Sequence, residues 1–327
     1  MRDPVVIYHW WANRDEQPAY SNLSHPLLLS IATLRAVNPT IPIKVLNCSD
    51  YCPSYDTSTD PWTNSDWLHF QEKLKFDVWG CGFSLEKYSN VTGYKLLSRL
   101  FDLRQMGHSQ WPVIYCDSDV FWLRDPLPLS CDINKFCFDG FNSGFFYYDY
   151  ESPAVKDMFE VFDAYTITAL RDKQFCQTIK DKTNYDAWPY IWDETILRYM
   201  NETGMSDLFE IVPPEEHGVI RESASFNRDK LKMLHCNGLM VKNQTAKRLS
   251  EKEHSRGLAC LLFKEFYENI CKVLDENELK MIFTEIEMQN ALSQQMSLFD
   301  TEEIDQMKRA DSNYEFVVRS AQSQWLI

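Results

Sequence analysis

The stretch Trp111-Pro112-Val113-Ile114-Tyr115-Cys116-Asp117-Ser118-Asp119-Val120-Phe121-Trp122 decides how the rest of the chain is read. An apolar and aromatic run leads unbroken into two carboxylates separated by one small residue. A run containing Val, Ile and Tyr predicts a strand buried on both faces. Charges sit where such a strand ends, and in open α/β sheets the carboxyl ends of the strands are where ligands bind. Alternation along a strand predicts that Asp117 and Asp119 project to one side while Ser118 points away. Two carboxylates so close repel each other unless one is protonated or a cation lies between them. Hard oxygen ligands of this sort favour Mg²⁺ or Mn²⁺, shared with the phosphates of a substrate.

Around this stretch, the 327 residues are 44% hydrophobic, enough for one large α/β domain with an appendage or for two domains. The formal net charge of -15 argues against a nucleic-acid groove or an anionic membrane surface as partner. Anionic small molecules stay open, because a divalent cation reverses the local field. Ten cysteines are spread singly with no C-x-x-C pair, and Cys116 lies within the central run. Reduced, packed thiols and a cytoplasmic protein are therefore expected. No signal peptide or transmembrane segment is visible. The sequons Asn22-Leu23-Ser24, Asn90-Val91-Thr92 and Asn243-Gln244-Thr245 keep open the alternative of a secretory-pathway lumenal domain without its anchor.

Upstream, residues 5–11 read as a first strand with Tyr8, His9, Trp10 and Trp11 at its carboxyl end. Those rings either stack on a base or form a core edge. A helix over 27–37 stops at Asn38-Pro39, and a second strand follows over 43–46. Composition predicts a loop over 51–64, then a short helix over 68–78. A stronger helical pattern covers 92–106, with Leu96, Leu97, Leu100 and Leu103 as its apolar stripe and Lys95, Arg99 and Arg104 as its basic positions.

Downstream, Phe136-Cys137-Phe138 reads as a short strand. In Phe141-Asn142-Ser143-Gly144-Phe145-Phe146-Tyr147-Tyr148 the glycine implies a close backbone approach beside two short hydrogen-bonding side chains. Helices are expected over 152–169 and 188–200, the second carrying Asp193-Glu194 in its early turns. Strands are expected over 209–213 and at Lys232-Met233-Leu234, which runs into His235-Cys236-Asn237-Gly238. From about residue 250 the pattern changes to one or two amphipathic helices over 261–288, then polar, acidic sequence. This divides the chain into a catalytic α/β domain over 1–249 and a helical C-terminal extension over 250–327.

A D-x-D at a strand end, an Asn-Ser-Gly strand, an acidic helix start and a late His-x-x-Gly follow one another in an order that resembles the GT-A glycosyltransferases. The match covers roughly residues 5–242. The resemblance implies a mixed, mostly parallel sheet with helices on both faces, and a nucleotide-sugar donor bound through a metal ion. Carried over by position, Asp117, Asp119 and His235 are the metal set for Mn²⁺ or Mg²⁺, with a core histidine as the bland alternative for His235. Arg99 matches a basic residue that contacts the nucleotide, and Lys95 lies one turn earlier; alternatively they form a solvated helix face. Asn142 matches a residue that hydrogen-bonds the donor sugar, with Ser143 beside it. Tyr8, His9, Ser118, Gly238 and Lys242 complete the expected donor contacts. Lys242 stands one place later than the matching lysine of the best-known branch, and the Pro-Trp of that branch is absent. Asp193 and Glu194 match an acidic pair lining the sugar and acceptor site, although a carboxylate at a helix N-terminus is stabilised there whatever its role.

The activity implied is transfer of a sugar, UDP-hexose first among donors, to a hydroxyl acceptor on a glycan or protein. An inverting reaction needs a base for the acceptor proton, for which Asp193 or Glu194 is the candidate. A retaining one needs none, and the same residues then orient sugar hydroxyls. Two rival readings remain. Asp117-Ser118-Asp119-Val120 also fits the start of a haloacid-dehalogenase-like phosphatase motif, with Asp117 as nucleophile. That motif belongs near the N-terminus and needs a later G-D-x-x-x-D, which this chain lacks. The other rival is a non-catalytic sugar-nucleotide-binding protein.

Overall fold

A computed structural model of the chain describes residues 3–10, 24–47, 64–80, 111–138, 143–183, 193–213, 215–219, 229–236 and 260–298. The helix expected over 92–106, with Lys95 and Arg99, lies outside the described residues, as do Asn142, Gly238 and Lys242. The strands are β1 (Val5–Trp10), β2 (Ile43–Asn47), β3 (Asp77–Gly80), β4 (Val113–Cys116), β5 (Val120–Trp122), β6 (Phe136–Phe138), β7 (Phe145–Tyr148), β8 (Phe209–Ile211), β9 (His217–Val219) and β10 (Met233–His235). The helices are α1 (Ser24–Val37), α2 (Asn64–Leu74), α3 (Pro153–Arg171), α4 (Lys173–Thr183), α5 (Asp193–Glu202), α6 (Lys264–Cys271), α7 (Glu276–Ile282) and α8 (Glu285–Ser293).

Seven strands form one sheet in the order β3-β2-β1-β4-β7-β6-β8. β1 is parallel to β2 and to β4, and β2 to β3. β7 runs antiparallel to β4 and to β6, while β6 and β8 are parallel. The sheet is thus mixed and mostly parallel, in the α/β class expected. The chain leaves β1 toward β2 on one side and re-enters at β4 on the other. Strand order therefore reverses between β1 and β4, the place where open α/β sheets bind ligands, at the carboxyl ends of the strands.

Side chains sort onto the two faces with period two, as pleated strands require. Val6, Tyr8, Val45, Ile114, Cys116, Phe145 and Tyr147 share one core with α1 and the C-terminal helices. Val5, Ile7, Leu46, Val113, Tyr115, Phe146 and Tyr148 share the other with α3 and α5. Helices therefore cover both faces, and this is why the strands read as continuous apolar runs.

Four sequence expectations are corrected. The central run is not one strand carrying both acids. β4 ends at Cys116, a turn closed by Val120 N–H on the Asp117 carbonyl (3.2 Å) follows, and β5 joins a second, three-stranded sheet in the order β5-β10-β9. The helix expected over 68–78 stops at Leu74, and Val78 belongs to β3. Its end is a left-handed Lys75 (φ 53°) followed by the Phe76 N–H to Gln71 carbonyl bond (3.3 Å), a closing motif usually signalled by glycine. α4 and β9 were not foreseen. The C-terminal region carries three helices, two of them opened by capping boxes at Asp275/Glu278 and Thr284/Glu287.

These last helices join the main core. Phe263, Phe266 and Ile270 pack in one cluster with Tyr8, Leu28, Phe121 and Trp122. Asn269 Nδ2 donates to the Trp122 carbonyl at 3.1 Å. Glu278 receives both His69 (2.8 Å) and Lys73 (3.2 Å) of α2. Among the described residues no helix is long and apolar enough to cross a membrane.

Candidate metal centre

β4 delivers Asp117 to the carboxyl end of the large sheet, and the turn after it delivers Asp119 to the start of β5. The backbone of this turn is tied down from two sides. Asp117 N–H donates to the Gly144 carbonyl at 2.7 Å, so the glycine foreseen as a close approach supports the acidic turn. Cys236 N–H donates to the Asp119 carbonyl at 2.9 Å. β10 lies antiparallel to β5 with His235 opposite Val120, which carries the imidazole to the turn. His235 Nε2 then lies 3.1 Å from Asp119 Oδ1.

Asp117, Asp119 and His235 thus form one group, each offering a ligand atom within 4.8 Å of the others. Asp117 is half-buried, whereas Asp119 and His235 are 3% and 1% exposed. The three expected ligands converge, but by a turn and a second sheet, not by alternation along one strand. Two carboxylates and an imidazole, assembled from segments far apart in sequence, suit a divalent cation of the Mg²⁺ or Mn²⁺ type. Two carboxylates this close repel each other, a cost that a cation held between them would remove.

Other expected residues take varied places. Ser118 is half-exposed in the acidic turn, and Ser143 is buried beside Gly144 at the start of β7. The Tyr8 ring is 0% exposed, and its hydroxyl is hydrogen-bonded to Ser30 Oγ and Trp122 Nε1, each at 3.0 Å. Burial holds its phenol well above the usual range. Tyr8 is therefore a core side chain with no face for a ligand, and its expected stacking role is withdrawn, because both faces of β1 are covered and its ring packs among core residues. The His9 backbone pairs with Leu46 in β1 and β2. Asp193 and Glu194 open α5, with Asp193 7% exposed and its Oδ1 accepting from the Glu194 N–H at 3.1 Å. They are not members of the three-residue group.

Two neighbours of the site were missed. Tyr115 donates its hydroxyl to Asp117 Oδ1 at 3.0 Å, a contact that the Tyr-x-Asp spacing across a strand end signals. His217 of β9, 2% exposed, lies with its ring nearly parallel to that of His235 (centroids 6.3 Å apart, 11°) and 4.8 Å from Phe145. Burial first, and His235 second, pull its imidazole down to about 3, so it stays neutral at ordinary pH. No local pattern marks a histidine in a strand this short.

No protein-family model and no curated protein matches the chain. Among solved structures it is similar to the glycosyltransferase GlyE of Streptococcus pneumoniae TIGR4, at 13% identity over 82% of this chain and 63% of that one, with a TM-score of 0.44. It is also similar to the galactosyltransferase LgtC in complex with donor and acceptor sugar analogs, at 12% identity over 85% and 99% of the two chains (TM-score 0.46). A third is mouse xyloside xylosyltransferase 1, at 10% identity over 72% and 98% (TM-score 0.46). The chain spans 63% of the length of GlyE.

Proposed function

We propose that the chain is a metal-dependent glycosyltransferase that moves a sugar, UDP-hexose first among donors, to a hydroxyl on a glycan or protein acceptor. The observation that carries this reading is the convergence of Asp117, Asp119 and His235 at the carboxyl end of β4, beside the strand-order reversal. Asp117 and Asp119 supply the negative charge that holds Mn²⁺ or Mg²⁺, and His235 supplies a nitrogen ligand. A cation bound there neutralises charge on a departing nucleoside diphosphate. Asp193 and Glu194, at the N-terminus of α5, orient sugar hydroxyls or take the acceptor proton. Of the remaining donor contacts, we assign Ser118 and Ser143 to the turn and the β7 start, and Lys95, Arg99, His9, Asn142, Gly238 and Lys242 by sequence resemblance.

A phosphatase of the haloacid-dehalogenase kind uses the first aspartate as a nucleophile on its first strand; here the acidic turn follows β4 and its third member is an imidazole. We place the protein in the cytoplasm, a reading supported by the unbridged thiols of Cys116, Cys131, Cys137, Cys176, Cys260 and Cys271 among the described residues. The test is release or transfer of labelled sugar from a panel of nucleotide sugars, with Mn²⁺ or with chelator. Metal-dependent turnover supports the reading. Hydrolysis of p-nitrophenyl phosphate without sugar transfer, or nucleotide-sugar binding without turnover, contradicts it.

A further inference from the structure

We propose that Tyr115 is a positioning residue of the metal centre, holding the Asp117 carboxylate in the orientation that a cation needs. The inference rests on the reading of Asp117, Asp119 and His235 as metal ligands. Tyr115 is 1% exposed, and its ring lies flat against Phe146 at 4.3 Å and 3°. Backbone register fixes that stack, because Tyr115 faces Phe146 across β4 and β7 and Ile7 across β4 and β1. The ring therefore has one arrangement, and the end of it that is polar reaches Asp117 Oδ1 at 3.0 Å.

The Asp117 backbone is held independently, by the Gly144 carbonyl and by the Val120 N–H. The phenol is a group that orients its side chain. A carboxylate oxygen has two lone pairs, so accepting from Tyr115 leaves capacity for a cation. Outer partners of this kind keep a ligand aimed while the site is empty and spare it reordering when metal arrives. Removing such a partner weakens metal affinity by about 10- to 100-fold.

Tyr115→Phe keeps the stack and deletes only the hydroxyl. Free Mn²⁺ is measured by electron paramagnetic resonance during titration of wild type, Tyr115→Phe and Asp119→Asn, alongside the metal-free Tm of each. The expected result is a Mn²⁺ dissociation constant raised about tenfold or more in Tyr115→Phe with the metal-free Tm unchanged. Wild-type affinity in Tyr115→Phe, or a loss that appears only together with a lower metal-free Tm, overturns the inference and leaves the ligand set standing. A wild-type chain that takes up no Mn²⁺ overturns the reading of the site itself, and the role of Tyr115 with it.

Discussion

The indole nitrogen of Trp122 donates a hydrogen bond to the hydroxyl of Tyr8 at 3.0 Å, joining β5, just beyond the acidic turn, to β1 of the large sheet. Ser30 of α1 contacts the same hydroxyl and the Val120 carbonyl, so the helix, the sheet and the end of the turn are held by one polar cluster inside an apolar core. Removing the hydroxyl leaves the Trp122 donor buried without that acceptor. Tyr8→Phe is expected to cost about 1–3 kcal/mol of stability in urea unfolding, with nucleotide-sugar turnover below the melting range little changed. A turnover defect at full stability would return Tyr8 to the ligand site.

The C-terminal helices carry part of the same core. Phe266 is 0% exposed and its ring lies 5.4 Å from that of Phe121, one residue before Trp122. Phe266→Ala should lower stability by about 3–5 kcal/mol, the range for deleting a buried aromatic. A loss below about 1 kcal/mol, or an unfolding step separate from that of the sheet, would make 260–298 an independent appendage after all.

Thiol chemistry offers a pH-resolved check on the β6 region. The neighbouring Cys137 thiol, helped by Tyr147 and Ser130 and opposed by burial, draws the Cys131 thiol below its ordinary range, while Cys137 is driven up. Burial raises Cys176 above its ordinary value. Because the thiolate is the nucleophile, alkylation at Cys131, slowed at every pH by its burial, should begin to rise at a lower pH than alkylation at Cys176. Iodoacetamide labelling mapped by mass spectrometry at several pH values reads both. Parallel profiles would contradict the thiol pairing.

How far these features were legible in the sequence differs from element to element. Residues 113–116 were readable as a buried strand because both faces are covered and nothing interrupts the apolar run. The break after Cys116 was not, because Val120-Phe121-Trp122 is as apolar as the strand before it and the turn uses only three polar residues. That Asp117, Asp119 and His235 belong together was readable by resemblance, whereas the geometry that joins them came from β10 pairing across the turn, a contact that spans 116 residues. α2 overran in the reading because its left-handed end is a lysine. The capping boxes at Asp275 and Thr284 were visible but unused, and they would have split the C-terminal pattern into its three helices.

Asp119 is buried, contrary to the surface position that a strand end suggests, so the useful substitution is one that keeps volume and an acceptor for His235. Asp119→Asn should leave metal-free stability within about 1 kcal/mol of wild type and lower metal-dependent sugar transfer by about a hundredfold or more, since a cation's charge stabilisation is worth several kcal/mol. An active Asp119→Asn enzyme would remove this carboxylate from the ligand set.

Anomalous diffraction from crystals soaked in Mn²⁺ and a nucleoside diphosphate addresses the site without reference to turnover. A single strong peak bonded to a carboxylate oxygen of Asp117, one of Asp119 and a ring nitrogen of His235, with phosphate oxygens completing the shell, is the expected result. A diphosphate bound with the manganese elsewhere, or a peak that leaves His235 outside bonding distance, would contradict the account.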